Sequence, residues 1–205
     1  MERLFKNLIE LLKEYVNKSI ENRAEISKVN SNEDMSQLRK EKEVNALKEK
    51  ALKLSNDCMK QSDAIIGEIV TNLESANTET NIADMQGVFA YLTASSAKCD
   101  DNVLLNLIKP YAGNLTAIRA ISSVADNAGV GIASKRIIES YIYDADSVKQ
   151  EIEAYMNLVF TGSMSATEAG KEIEKQARKL GVEIVADVKD EYTDNQLLRK
   201  AFGLA

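Results

Sequence analysis

The segment 129–135 has the composition of a phosphate-binding loop. Glycines that lead into a helix bearing a serine and a lysine suit the cradle that backbone N–H groups form around a phosphate, and the segment reads Gly129-Val130-Gly131-Ile132-Ala133-Ser134-Lys135. The spacing fits neither familiar form: Gly-Lys-Ser/Thr is absent, and Ser134 occupies the third glycine position of a dinucleotide loop. The residues before it also predict a helix rather than a strand. We interpret the segment as a helix stop.

Two further segments carry part of a catalytic or metal-binding pattern. Ser95-Ser96-Ala97-Lys98 matches Ser-x-x-Lys, in which a lysine activates a serine, but the companion Ser-Asp-Asn and Lys-Thr-Gly motifs are absent. Asp144-Ala145-Asp146 offers two carboxylates to a divalent cation, yet it lacks the glycine and the terminal glutamate of a calcium loop. We interpret the first as a chance match within a helix and the second as a cap and turn.

The chain has no histidine, which excludes several chemistries together. Ser-His-Asp and Cys-His catalysis need an imidazole base, helical di-iron sites need Glu-x-x-His, and zinc hydrolases need histidine ligands. Cys58 and Cys99 have no metal-ligand spacing and predict two reduced, buried thiols, with a structural disulfide as the alternative. We predict a protein that is not an enzyme, with no cofactor and no metal. An enzyme using only Ser, Lys, Tyr or carboxylates is the catalytic alternative.

The charge distribution argues against nucleic acid as a partner. The formal net charge of −6 divides into +2 over residues 1–60 and −8 over residues 61–205. Phosphate would be repelled by so acidic a C-terminal part. The segment Thr167–Val182 has some character of a helix-turn-helix, but its first helix is too long and no basic recognition helix follows. We therefore predict no nucleic-acid binding.

The scarcity of helix-breaking residues predicts an all-α fold. One proline, Pro110, and nine glycines occur in 205 residues, whereas β-rich and loop-rich folds use both types freely at turns. We expect a long helical hairpin or coiled-coil arm over residues 1–75, followed by a compact multi-helix bundle over residues 81–205. The small polar stretch Ser75–Asn81 is the predicted linker between them.

Apolar residues in the predicted arm recur at the spacing of packed helices. Leu4, Leu8, Leu11 and Tyr15 follow a 4-3-4 rhythm, and a turn or fresh helix start is expected near Ser31–Asp34. A helix over 33–74 would be about 60 Å long and needs a partner, either the first helix or another copy of the chain. The predicted oligomer interface is a seam of seven residues: Val44, Leu47, Ala51, Leu54, Cys58, Ile65 and Ile69.

Capping residues and glycines delimit the helices expected in the body. The predicted helix starts are Asn81 or Thr80, Asp100/Asp101, Asn114, Asp146/Ser147 with Gln150, Ser165 with Glu168, and Thr193 with Gln196. Val182–Val188 suits a strand or a helical turn, and we favour helix because no second strand is available for pairing. The predicted helices are Ile82–Ala97, Asn102–Lys109, Leu115–Asn127, Ile132–Tyr143, Val148–Phe160, Ala166–Leu180 and Asn195–Phe202.

The N-terminal sequence lacks the signals of export or of membrane insertion. Charged residues interrupt every apolar run that might serve as a signal peptide, and no run approaches the roughly 18 apolar residues of a membrane-spanning helix. Leu4–Val16 is amphipathic, but its polar face carries both signs of charge, which favours packing over a membrane surface. The expected location is the cytoplasm, or a virion within a host cytoplasm.

In general character the chain resembles small helical structural and assembly accessory proteins of tailed bacteriophages from low-GC bacteria. The resemblance lies in the charged coil Arg39–Lys53 followed by a body with segments such as Tyr111–Ile118. It implies a non-catalytic virion or capsid-assembly protein that forms a homo-oligomer through its arm. Among such phage proteins, the scaffolding proteins often end in a basic segment, whereas the last 25 residues of this chain are net acidic. The alternative is a membrane-interacting or pore-forming effector with Met85–Ala97 as its inserting element.

Overall fold

The chain folds into helices, as expected from its scarcity of proline and glycine. A computed structural model describes residues 1–78 and 81–189, and no strand occurs among them. Three short 3-10 helices lie at Ile82–Met85, Ser96–Lys98 and Lys109–Tyr111. The α-helices of the described residues are α1 Glu2–Ser31, α2 Gln37–Thr78, α3 Gln86–Ser95, α4 Asp101–Ile108, α5 Leu115–Asn127, α6 Ile132–Glu139, α7 Ala145–Phe160 and α8 Ala166–Lys179. The all-α prediction is confirmed.

The described residues form two compact units, to which α2, α7 and α8 each contribute. The hairpin unit comprises residues 3–66, 152–173 and 185–189, and the bundle unit comprises residues 1–2, 67–151 and 174–184. The proposed boundary between an arm over 1–75 and a body over 81–205 stays a prediction. Within the predicted linker, α2 continues as far as Thr78.

In the hairpin unit, α1 and α2 fold back on one another within a single chain. A turn at residues 32–36 joins them, where the Asp34 amide donates to the Asn32 side chain over 3.0 Å. Further along, Lys40 Nζ donates to the Asn30 carbonyl over 3.0 Å and Asn22 Nδ2 donates to the Leu47 carbonyl over 3.1 Å. These pairs run in opposite directions along the chain, so the two helices are antiparallel. α1, one of the two partners expected for α2, therefore packs against it within the chain, and packing against another copy stays a prediction.

Most of the apolar stripe predicted for the first helix is buried, whereas Tyr15 is half-buried. It continues through the first half of α1 and then thins, because beyond Val16 only Asn22 and Ile26 of this helix are buried. A helix that buries about half of its length in this way is stabilised mainly at that half. The buried members of the stripe are Leu4, Phe5, Leu8, Ile9, Leu11, Leu12 and Val16.

The core of the bundle unit is aliphatic. It is formed where α3, α4, α5 and α6 pack together, and its members come from helix faces with apolar residues three or four positions apart. Partly buried aromatic residues, among them Phe89, Tyr91 and Tyr111, surround it. The buried members are Met85, Val88, Leu92, Leu104, Ile108, Ala117, Ile118, Ile121, Ala125, Val130 and Ile138.

Most predicted helix starts are confirmed, with one correction. Asn114 accepts from the Ala117 amide over 2.9 Å, and Asp100 accepts from the amides of Asn102 and Val103. The cap of α7 is Asp144 rather than Asp146 or Ser147: it accepts from the Ser147 amide over 2.6 Å and from the Ser147 hydroxyl over 3.0 Å. These hydrogen bonds to its charged form lower the pKa of Asp144.

Three predicted segments differ from the observed structure. The helix expected over Ile132–Tyr143 ends at Glu139. Ile82–Ala97 is divided into a 3-10 turn, α3 and a second 3-10 turn, with Ser96 at a positive φ of 45°. Residues 182–188 belong to no helix or strand, so the helical prediction was wrong there. Val182 and Ile184 are buried while the residues between and after them are exposed, an alternation typical of extended backbone. The predicted helix Asn195–Phe202 lies outside the described residues.

Gly181, which ends α8, is expected to tolerate no side chain. Its φ is +71°, and a Cβ atom at this position would lie 2.8 Å from the Ala112 Cβ. We expect Gly181→Ala to lower the free energy of unfolding by about 2–4 kcal/mol, since left-handed strain and steric overlap add. Gly129→Ala is the matched control: its φ is +67° but no atom lies within 4 Å of the added Cβ. Urea denaturation of both variants measures the difference, and equal losses would mean that the overlap is relieved at no cost.

Candidate functional site

The segment 129–135 ends one helix and begins the next. Gly129 has a positive φ of +67°, its amide donates to the Asp126 carbonyl, and the Val130 amide donates to the Ala125 carbonyl over 3.1 Å. These are the hydrogen bonds of a helix C-terminus. Ser134 is buried and donates its hydroxyl hydrogen to Asp101 Oδ1 over 2.7 Å. The helix-stop interpretation is confirmed.

Structural roles are also taken by Ser96, which lies between Ser95 and Lys98 of the Ser-x-x-Lys match, and by Asp144 of the other partial motif. The Ser96 hydroxyl donates to the Ala128 carbonyl over 2.6 Å, which ties the end of α3 to the end of α5. Asp144 is occupied as the cap of α7. Among residues 1–78 and 81–189, no group of three or more Cys, Asp or Glu side chains is placed to hold a metal ion.

The two cysteines are free thiols in different environments. Cys58 is buried, as predicted, whereas Cys99 is only half-buried, so the prediction was wrong for Cys99. Burial raises the pKa of both thiols above the ordinary value.

The seven predicted interface residues lie at different depths in the single chain. Cys58 and Ile69 are buried, while the other five are half-buried. Sequence reasoning missed Ile66, which is fully buried, and Ser62, whose hydroxyl donates to the Met59 carbonyl over 2.7 Å. Because that hydroxyl is satisfied within its own helix, a polar residue occupies a buried position that a hydropathy pattern does not reveal. The half-buried members are Val44, Leu47, Ala51, Leu54 and Ile65.

The hairpin unit contains a cavity of about 610 Å³. Its wall comes from three segments: α1 between Tyr15 and Arg23, α2 between Lys48 and Met59, and the end of α7 with the following turn, Val159–Ala166. This volume lies within the range of about 300–1,000 Å³ that is usual for small-molecule pockets.

The carbonyl group of Phe160 holds the three wall segments together. It accepts a hydrogen bond of 2.8 Å from the Ser55 hydroxyl of α2 and one of 3.4 Å from the Tyr15 hydroxyl of α1. The rings of Tyr15 and Phe160 also meet edge to face, with centroids 4.9 Å apart, a favoured aromatic geometry. The carbonyl groups in the last turn of a helix have no hydrogen-bond donor within the helix. In α7 the carbonyl of Phe160 instead accepts hydrogen bonds from both helices of the hairpin.

The turn that closes the wall is itself defined by local hydrogen bonds. Gly162 adopts a φ of +73°, which reverses the chain after α7. At the start of α8, the Ser165 hydroxyl accepts from the Glu168 amide over 3.2 Å, and Glu168 Oε2 accepts from the Ser165 amide over 3.4 Å. This is the capping box predicted from Ser165 and Glu168.

The described wall of the cavity combines apolar, neutral polar and basic side chains. Arg23 of α1 and Lys48 of α2 are the basic side chains on its wall, and no carboxylate is among its described lining residues. Asn22 is 4% exposed. Its Nδ2 donates to the Leu47 carbonyl, while no described donor lies within hydrogen-bond distance of its Oδ1.

Sequence reasoning did not identify this cavity. The available signal was the second half of α1, where Ser19, Asn22 and Arg23 interrupt the apolar stripe that Val16, Ile20 and Ile26 continue. Polar residues within an apolar stripe either find partners or face a space that holds polar groups. The sequence does not show which of these two environments the polar residues of α1 have, because the answer depends on the positions of α2 and of the turn after α7.

The segment Met85–Ala97, named above as a membrane-inserting element, contributes to the bundle core. Its residues Met85, Val88 and Leu92 are buried there. In the part of the chain that the structure describes, no helix combines the length and apolar character needed to cross a membrane.

No protein-family model, curated protein or solved structure matches this chain.

Proposed function

We propose that this protein is a non-catalytic structural or assembly protein that forms a homo-oligomer through the outer part of its α1–α2 hairpin. The outer hairpin is defined as residues 22–54. The observation that supports the proposal is the small number of buried side chains in the outer hairpin. Among residues 22–54 of the single chain, only Asn22 and Ile26 are buried. Two antiparallel helices with so few buried side chains are marginal in water unless a further partner covers them.

The exposed apolar residues of the outer hairpin are spaced as in a packing surface. Leu38 is 79% exposed and Leu52 is 64% exposed. They are 14 residues apart, which is two heptads, so both lie on one face of α2. The face between them carries no proline or glycine. A further helix laid along α2 would cover both leucines.

A second copy of the chain is the partner that the charges favour. Residues 22–54 contain eight Lys/Arg and six Asp/Glu, interspersed along both helices. A surface of mixed sign can pair with itself, whereas a surface of a single sign would repel its copy. The phage-like character of the sequence suggests a virion or capsid-assembly protein as the form that this role takes.

The state of association tests the proposal directly. We expect light scattering after size exclusion to give the full chain a mass that is a multiple of 22.6 kDa. The double variant Leu38→Lys/Leu52→Lys is expected to dissociate, because it places two charges where apolar contact is expected. A wild-type mass of one chain at every concentration would contradict the proposal.

A matched variant controls for the added charge. Ala46→Lys/Gln61→Lys also adds two lysines to exposed positions of α2, but on the flank away from Leu38 and Leu52. It should associate like the wild type. Dissociation of both double variants alike would mean that net charge, and not the leucine face, controls assembly.

A further inference from the structure

We propose that the cavity of the hairpin unit binds an uncharged molecule with an aliphatic chain and one hydroxyl group, and that this hydroxyl is held at Ser19. A ligand site of this kind goes beyond the assembly role and does not require it, although Leu52 lines the cavity and also belongs to the proposed assembly face. Three properties of the wall support it: small residues at its middle, apolar residues at one end, and a serine hydroxyl without a partner in the described chain.

Small side chains open the cavity at its middle. Ser19 of α1 and Ala51 of α2 lie on the wall between the hydrogen bond of Asn22 to Leu47 and the contacts at Phe160. Neighbouring helices pack with their axes about 8–10 Å apart, and larger side chains normally fill the space between them. The side chains of serine and alanine are too short to fill it, so room for a ligand remains.

Apolar side chains form the end of the cavity nearest to Phe160. Met59, Phe160 and Met164 line that end, and methionine side chains adapt readily to apolar ligands. Along α1 the wall extends from Tyr15 to Arg23, a rise of about 12 Å. Each methylene group that leaves water on binding raises the affinity about fourfold, so an elongated aliphatic molecule suits this space.

The hydroxyl of Ser19 has no hydrogen-bond partner among the described residues, and Ser19 is half-buried on the wall. Other hydroxyls in helices of this chain donate to a carbonyl group of the preceding turn, as those of Ser62, Thr71 and Thr93 do. A ligand hydroxyl can both donate to a serine hydroxyl and accept from it. An ionised head group would lose far more than a hydroxyl on leaving water, so the ligand that matches Ser19 is uncharged.

Methionine methyl groups report on the site at defined positions. Met59 and Met164 line the cavity, whereas Met35 and Met85 do not. We expect titration of the full chain with octanol, followed by NMR of ¹³C-methyl methionine, to shift the Met59 and Met164 signals in a saturable manner. Shifts at neither methyl group, or equal shifts at all methionines, would overturn the proposal, since the second pattern indicates general solvent-like action.

A pair of serine variants tests the position of the hydroxyl. Ser19→Ala is expected to weaken octanol binding about tenfold and to change the affinity for octyl fluoride, which has no hydroxyl, by less than about twofold. Ser27→Ala makes the same substitution at an exposed position of α1 that does not line the cavity, and it should change neither affinity. Circular dichroism confirms that both variants fold. Unchanged octanol binding in Ser19→Ala, or an equal loss for both ligands, would contradict a hydroxyl site at Ser19.

The variant Leu38→Lys separates ligand binding from assembly. Leu38 belongs to the proposed assembly face but does not line the cavity. We expect Leu38→Lys to weaken association and to bind octanol with a dissociation constant within about twofold of the wild-type value. Octanol binding by a wild-type chain that stays monomeric would contradict the assembly role alone, and an oligomer that does not bind octanol would contradict the ligand site alone. Loss of octanol binding in Leu38→Lys would overturn a site formed by the single chain.

Discussion

Replacing Ile118 by alanine is expected to lower the free energy of unfolding by about 2–5 kcal/mol, which is the usual cost of removing a large aliphatic side chain from a packed core. Ile118 lies on α5, is fully buried and belongs to the aliphatic cluster of the bundle unit. Its neighbours are held on helices that pack on both flanks of α5, so the space left by the side chain closes only in part. Chemical denaturation followed by circular dichroism measures the loss.

Ile132→Ala is the matched control for this prediction. It makes the same substitution in the same unit, at a helical position where the isoleucine is 74% exposed. Exposed substitutions usually change stability by less than about 0.5 kcal/mol. A small loss in Ile118→Ala, similar to that of the control, would show that the bundle core is packed loosely at α5.

The two thiols are expected to react with a disulfide reagent at rates that differ by about 100-fold or more. Cys99 is half-buried, and Cys58 is buried. Thiolate is the reacting form, and burial raises the pKa of both thiols, so the expected difference in rate arises from the restricted access to Cys58. A 100-fold difference corresponds to local opening that costs about 2.7 kcal/mol, well within the range seen for packed helices. Absorbance during modification by Ellman's reagent follows both phases.

Single cysteine variants assign the two phases. Cys99→Ser should retain only the slow phase, and Cys58→Ser only the fast phase. In denaturant the two thiols should react at similar rates, because the difference arises from folding. Two fast phases in the native wild type would mean that the helix around Cys58 opens readily, and the burial of this part of α2 would then contribute little to stability.

Helix identity and helix ends were largely predictable because they depend on residues close in sequence. Asn114 caps α5 through a hydrogen bond to an amide three residues later, and Ser165 with Glu168 forms a capping box over the same distance. Gly181 ends α8 because its backbone adopts a conformation that other residues avoid. The start of α7 differs from the prediction, because Asp144 caps this helix in place of Asp146 or Ser147.

The end of α2 is a helix boundary that the local sequence did not predict. The small polar residues from Ser75 onward predict a linker, yet the helix continues to Thr78. Two hydrogen bonds with a distant segment support this extension: Asn114 Nδ2 donates to the Ala76 carbonyl over 2.9 Å, and Asn77 Oδ1 accepts from the Leu115 amide over 2.7 Å. Partners 38 residues away outweigh the weak helix propensity of asparagine and serine.

The sequence by itself determined that the chain is helical, where most helices begin and end, and that none of its side chains is an imidazole. These properties follow from composition and from contacts within about four residues. The tertiary structure decided how α1 packs against α2, which apolar residues of α2 are buried in the single chain, and where a cavity forms. The cavity wall joins Tyr15 and Ser55 to the carbonyl of Phe160, groups more than 100 residues apart. The periodicity of the sequence does not predict these hydrogen bonds, because they depend on where three helices end and on how the helices pack against one another.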